Sequence, residues 1–215
     1  GKDKDFDFQK AYNPYDFSGL RACEARVWSF FRTFDKSMDK YKKHIMGDAS
    51  EEPMPLYIIP DRKVSLADVR EGMRNHYEGT ELSMTNDPGA GAYKVPYRWR
   101  PMTFKSEGRE YFNERAIATQ QTGFVLIAQM RSWLPDAVGG ILWFGVDDAN
   151  TAVLTPMYTS ITEIPECYRR GNGSMTEFSW TSAFWIHNWV ANMAYNRYEP
   201  MIRDIRPVQK ELEDS

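Results

Sequence analysis

Apolar residues at Leu20, Cys23, Val27, Phe30, Phe31 and Phe34 recur at steps of three and four, the spacing that gathers side chains on one helical face, and Ser18 is placed as the N-cap. Residues 1–17 mix turn formers with scattered aromatics, Asn13-Pro14 among them, and predict an irregular lead-in. Leu56-Tyr57-Ile58-Ile59 is a short apolar run closed by Pro55 and Pro60, the pattern of a strand. Ser65 followed by Asp68 has the form of a capping box, after which Leu66, Val69, Met73 and Tyr77 keep helical spacing until Gly79. Residues 85–96 hold too many Gly and Pro residues for a regular element and predict a loop that delivers Arg98.

The second half changes period. Residues 116–130 are rich in Thr, Gln, β-branched and aromatic residues; Leu134-Pro135-Asp136 follows as a turn, and residues 141–146 make a second apolar run. Asp147-Asp148-Ala149-Asn150 is the next turn, and residues 151–155 predict a third strand that Pro156 stops or sets at an edge. Short connections between sequential strands predict an antiparallel meander. Gly171-Asn172-Gly173 marks a loop, after which Trp180, Phe184, Ala191, Ala194, Tyr195 and Tyr198 outline a long helix from near Ser179. Pro200 and Pro207 interrupt the last stretch, where Met201, Ile205, Val208 and Leu212 predict a helical pair with a kink or break. Helices, then strands, then helices make an α+β fold with antiparallel sheet, in a single domain over residues 1–215.

Composition narrows the class. The chain is 42% hydrophobic and 14% aromatic, and no stretch approaches the roughly 20 apolar residues of a membrane span. Its 27 basic and 30 acidic residues give a net charge of −3, so no broad cationic field invites nucleic acid. The basic run from Lys36 to Lys43 is interleaved with Asp35 and Asp39 and reads as a solvated helix face. Two cysteines, Cys23 and Cys167, are too few for a disulfide framework or a thiolate metal site. The charged start at Gly1 carries no signal sequence and no initiating Met, so the true start is expected upstream and the compartment stays open.

Little in the chain alone reads as catalytic chemistry. A Cys–His pair of Cys23 with His44, His76 or His187 is disfavoured because Cys23 sits on an apolar stripe, where a thiol is a small core residue. Cys167, in a loop-like Pro165-Glu166-Cys167-Tyr168 segment, is expected to be more exposed. Asp147, Asp148 and Asn150 lack the spacing of a calcium loop and read as turn residues satisfying local backbone groups. His187 reads as a packed helix residue, and Gly89-Ala90-Gly91 opens no helix that would make it a phosphate loop. The block Pro96-Tyr97-Arg98-Trp99-Arg100-Pro101 is different. A strand start there would set Arg98 and Arg100 on one face and Tyr97 and Trp99 on the other, leaving either an anion-binding pair or a structural pair bonded to acidic neighbours.

Several segments carry a resemblance. Gly89 through Arg100, Asn113 through Thr122, Gln129-Met130-Arg131-Ser132-Trp133-Leu134-Pro135, Leu142-Trp143-Phe144-Gly145-Val146-Asp147-Asp148, and Phe184-Trp185 with Trp189-Val190-Ala191 resemble the bacterial N-terminal-nucleophile cysteine dipeptidases. The likeness runs through nearly the whole chain. It implies an interior or C-terminal-side portion of a longer enzyme, part of an αββα sandwich, whose N-terminal Cys nucleophile is absent from this chain. It implies hydrolysis of dipeptides or short peptides, with no metal and no cofactor. A Pro/Gly loop followed by Ser-Arg-Phe supplies an active-site arginine in the related bile-salt and penicillin amide hydrolases. Pro96-Tyr97-Arg98-Trp99 is similar in context, so the resemblance implies Arg98 as a charge-stabilising or substrate-orienting residue, although Tyr97 stands in place of a small residue. It further suggests Thr119 and Gln121 as substrate-side groups on a neighbouring strand.

The partners so implied are a dipeptide or short peptide and the missing N-terminal segment of the same protein, and a truncated sandwich would expose edges and apolar faces that favour homo-oligomers. Two readings stand beside this one: an amidohydrolase of the same superfamily acting on another linear amide, and a noncatalytic module whose Trp99, Trp133 and Trp143 line an exposed cleft.

Overall fold

The computed structural model describes residue 6, residues 8–99 and residues 102–214. Gly1 and Arg100 lie outside the described residues. The lead-in contains a short helix, α1 (Phe8–Tyr12), and Asp16 then caps α2 (Phe17–Gly19), its carboxylate accepting from Gly19 N at 2.7 Å. The cap is therefore Asp16, and Ser18 lies inside the helix. A π-helical turn (Leu20–Glu24) runs directly into α3 (Ala25–Phe34). A π turn holds one extra residue, so the buried face passes from Leu20 to Ala25 and Trp28, and Val27, expected on the apolar stripe, is exposed.

The basic run forms a 3-10 turn (Lys36–Tyr41) and α4 (Lys42–Ile45), burying Met38, Tyr41 and Ile45 while Lys36, Lys40 and Lys43 face solvent. Residues 56–59 are not a strand. Leu56 and Ile59 are 94% and 82% exposed, and only Ile58 packs on the core. No strand pairs with this run among the described residues, and the flanking prolines offer no donors. Helix α5 (Leu66–Met73) has the expected capping box, with Ser65 and Asp68 each accepting from the other's backbone N–H. It ends at Met73, earlier than Gly79, because Arg74 to Tyr77 turn inward. Gly72 lets α5 approach α3, since a Cβ there would lie 2.8 Å from the Phe30 ring.

A hairpin that the sequence pattern did not announce follows, β1 (Thr103–Ser106) with β2 (Arg109–Phe112), turning at Glu107-Gly108 with both residues at positive φ. Residues 116–123, expected to be strand, are irregular. Ala118 N donates to Asn75 O at 3.1 Å, fastening this stretch to the end of α5, and Thr122 N donates to Thr119 O in a turn.

The meander is present: β3 (Phe124–Met130), a helical turn α6 (Asp136–Gly139), β4 (Gly140–Val146) and β5 (Thr155–Tyr158) form an antiparallel sheet in the order β3-β4-β5. Its third strand starts four residues later than expected, because residues 151–154 are drawn into the core. Pro156 lies within β5, an edge strand, where its missing N–H is tolerated. Gly145, opposite Val125, lets Leu154 and the Val153 carbonyl come within 3.0 and 3.1 Å of where a Cβ would stand.

Helix α7 (Ala183–Asn196) begins four residues after Ser179, and α8 (Tyr198–Asp214) is one helix rather than a broken pair. Pro200 falls in its first turn, where few intrahelical donors are needed, and Pro207 is carried within it. The fold is α+β with two small antiparallel sheets and helices. Its buried apolar residues gather under α3, behind the three-stranded sheet beside α5, and around Tyr97, Tyr195 and Tyr198.

Candidate functional site

Arg98 stands at the end of the Gly- and Pro-rich loop, but not on a strand. Its Nη1 donates to the carbonyls of Val95 and Tyr97, each at 3.0 Å, and its Nη2 to Met84 O at 2.8 Å and to the Asp87 carboxylate. Asp87 also caps a short 3-10 turn (Pro88–Ala90), so the guanidinium closes the loop on itself, passing close to Gly89. The expected alternation of rings therefore does not arise from a pleat: Tyr97 is buried and Trp99 is exposed. Gln121 Nε2 donates to Trp99 O at 3.3 Å, and Thr119 Oγ1 lies 3.3 Å from Thr122 Oγ1. Both belong to the turn before β3, and Gln121 reaches the backbone beside Arg98.

Behind Tyr97 lies a buried polar cluster. Asp147 and Asp148 do form a turn, as their residue types indicate, yet that turn is wholly enclosed. Asp147 has φ +70, a left-handed conformation that Asp tolerates better than most residues, and its carboxylate accepts from Asp148 N and from Asn188 Nδ2 on α7, both at 2.7 Å. Asp148 Oδ2 accepts from the amide and hydroxyl of Thr151, each at 3.1 Å. Arg74 donates to the carbonyls of Ala149 and Ala152 and to Glu213 on α8, while Gln209 holds the carbonyls of Asn150 and Ala152. Three helices thus converge on one turn.

His76 occupies the centre. Its Nε2 lies 3.0 Å from Tyr195 Oη, its Nδ1 3.3 Å from Asn150 Nδ2, and Asn150 Oδ1 accepts from Tyr198 Oη at 3.0 Å. Glu78, at the solvent edge, accepts from His76 N at 2.7 Å and sits 3.4 Å from His76 Nδ1. Burial pushes the carboxyls of Asp148 and Asp147 and the hydroxyls of Tyr195, Tyr198 and Tyr97 above their usual ranges. Burial also opposes ionisation of Glu78, but hydrogen bonds and charge from His76 outweigh it and hold that carboxyl low.

The cysteines are elsewhere. Cys23 lines a shallow apolar groove with Val27, Phe30 and Phe31, its Sγ 4.0 Å from Arg26 Nη2. Cys167 and His187 line one cleft of about 400 Å³, but both His187 nitrogens are engaged by backbone, Nδ1 with Ala183 O at 3.0 Å and Nε2 with Val153 N at 3.4 Å. Trp99 and Trp133 are exposed, whereas Trp143 is partly covered under the Arg70 guanidinium. A further group of touching rings comprises exposed Phe178, Trp180 and Trp189 with half-buried Trp185.

The sequence profile of peptidase family C69 matches residues 1–211. This chain belongs to that family. It is 27% identical over 205 residues to the "Probable dipeptidase B" of Lactococcus lactis subsp. lactis (strain IL1403), covering 93% of this chain and 37% of that protein. It is also 27% identical over 154 residues to a "Probable dipeptidase" of Salmonella dublin, covering 72% and 30%. With "Dipeptidase A" of Lactobacillus helveticus it shares 22% over 192 residues, covering 88% and 32%. The chain spans about a third of the length of these curated relatives. No solved structure matches it.

Arg98, Thr119, Gln121 and the buried cluster apart from Glu213 fall inside the family C69 match. His76, Tyr195, Tyr198 and Asn150 were not legible as a unit in the sequence, since they come from positions far apart. Nothing in the sequence marks the Asp147-Asp148 turn as buried, because polar turns between apolar runs ordinarily face solvent.

Proposed function

We propose that this chain is part of a dipeptidase that cleaves the peptide bond of dipeptides or short peptides. Its membership of family C69 over residues 1–211, among relatives named as dipeptidases, carries the reading. The nucleophile of this proposal is the thiolate of an N-terminal Cys in polypeptide outside these residues. It attacks the amide carbonyl while its own α-amino group, with a reference pKa of about 7.7 to 8.0, takes and returns the proton that releases the amine. Water then hydrolyses the thioester and frees the second product.

Within the chain, Arg98 is the group proposed to orient substrate. Its bond to Asp87 supports this: one arm of the guanidinium already holds a carboxylate, on a side chain that is partly solvent-exposed. The C-terminal carboxylate of a dipeptide has the same chemistry and can exchange with it. Thr119 and Gln121, on the adjacent turn, are proposed to contact the substrate backbone.

The test compares a dipeptide with the same dipeptide carrying a C-terminal amide, using the full-length enzyme. Arg98→Gln is expected to raise KM for the free acid and leave that for the amide unchanged. Equal effects on the two substrates would remove the carboxylate role. Activity that survives Cys→Ala at the processed N-terminus would remove the mechanism.

A further inference from the structure

Tyr97 and Arg98 are adjacent in sequence, and Tyr97 is where the substrate-facing loop enters the core. Its ring packs edge-on against Tyr195 at 5.6 Å between centroids. The Tyr195 hydroxyl is 3.0 Å from His76 Nε2, and His76 is held in turn by Glu78 and Asn150. The Tyr198 ring meets His76 edge-on at 5.9 Å from the other side. His76 is thus boxed by two tyrosine rings and anchored at both nitrogens.

A core built only to exclude water would not be made this way. Burying His, Asp, Asn and three Tyr hydroxyls costs free energy unless every group is bonded, and apolar residues of the same size avoid that cost. What a bonded polar network adds is a single orientation for each ring. One atom is left out of it: Tyr97 Oη is buried without a hydrogen-bond partner among the described residues, so Tyr97 is located by its ring contacts and not by its hydroxyl.

We propose that the buried chain Glu78–His76–Tyr195 is a positioning device that fixes the Tyr97 ring and, through the next peptide, the Arg98 guanidinium. None of these residues touches substrate. The proposal rests on the carboxylate-orienting role of Arg98 argued above.

Tyr195→Phe keeps the ring and removes the bond to His76. In the full-length enzyme it is expected to raise KM for a dipeptide by up to roughly tenfold, the scale of one lost hydrogen bond, with kcat within about twofold. KM for the dipeptide amide should stay at its unmodified value, a split that general loosening of the fold would not produce. A folded Tyr195→Phe enzyme with unchanged KM for the acid, or with equal rises for acid and amide, overturns the proposal. If that variant fails to melt cooperatively, Asp148→Asn is read in its place with the same expectations, because it alters, at constant volume, the second side chain that bonds the Tyr195 hydroxyl beside His76. Selective loss in Arg98→Gln without it in these variants overturns positioning alone; an unselective Arg98→Gln removes the Arg98 reading, and the positioning proposal falls with it.

Discussion

Asp148 makes the energetic character of the buried cluster measurable. Burial raises its carboxyl above the unfolded value of about 3.9, so the neutral acid favours the folded state. That contribution is fully present below the unfolded pKa and is lost as pH rises through the higher folded one. Asp148→Asn, neutral at every pH, is therefore expected to be more stable than the native chain at pH 7 and to lose this advantage below about pH 4. Urea titrations at the two pH values check it, and a variant less stable at pH 7 would show that the charge is better compensated than its surroundings indicate. Glu78 works in the opposite direction: its lowered carboxyl adds stability above the unfolded value and loses it as pH falls. At this scale the sequence was half legible. Arg98 was visible because an arginine between aromatics after a Gly/Pro loop is unusual, whereas His76 and Tyr195 are ordinary residues until the fold brings them 3.0 Å apart.

Elements were legible where the signal is local. The capping box of α5 needs only Ser65 and Asp68, and both bonds form. Ser65→Ala is expected to cost about 1 kcal/mol by denaturant unfolding, the usual loss of an N-cap side chain. Elements were misread where one residue shifts the phase. The π turn at Leu20–Glu24 rotates the helix that follows, so Trp28, whose Nε1 donates to Met38 O at 2.8 Å in the core, replaces Val27 on the inner face. Periodicity counted at 3.6 residues has no way to register that insertion. The consequence is a reversal of expected costs. Trp28→Ala should lose about 3–5 kcal/mol and Val27→Ala stay within about 0.5 kcal/mol, a contrast that thermal melts would resolve. Comparable losses at both positions would mean that the helix keeps a regular α-helical phase. The strand expected at residues 56–59 failed for a different reason: an apolar run between prolines states a preference for extension but supplies no partner.

The whole molecule carries an apolar surface on the outside of its three-stranded sheet. Val125, Ile127 and Gln129 alternate inward, which turns Phe124, Leu126 and Met130 outward at 59%, 46% and 76% exposure. Leu142, paired with Ala128 on β3 and Met157 on β5, adds to this face. Runs such as residues 141–146, apolar at nearly every position, are those of strands covered on both faces, and here the outer face is covered only in part, where Phe144 meets the Tyr168 ring. The same runs let the strands be read from sequence and leave this surface unsatisfied. Such a face is expected to find cover, and in a solution of the 215-residue chain alone the available cover is another copy. Sedimentation velocity should therefore show concentration-dependent association. Leu126→Lys should shift the distribution to monomer while leaving the far-ultraviolet circular dichroism nearly unchanged, because Leu126 faces solvent at 46% exposure and its backbone pairing with Phe144 does not depend on the side chain. A chain that stays monomeric across the concentration series would overturn the association, whereas a Leu126→Lys variant that associates as before would place the contact elsewhere; the exposed rings of Trp180 and Trp189 on and beside α7 would be the next surface to substitute.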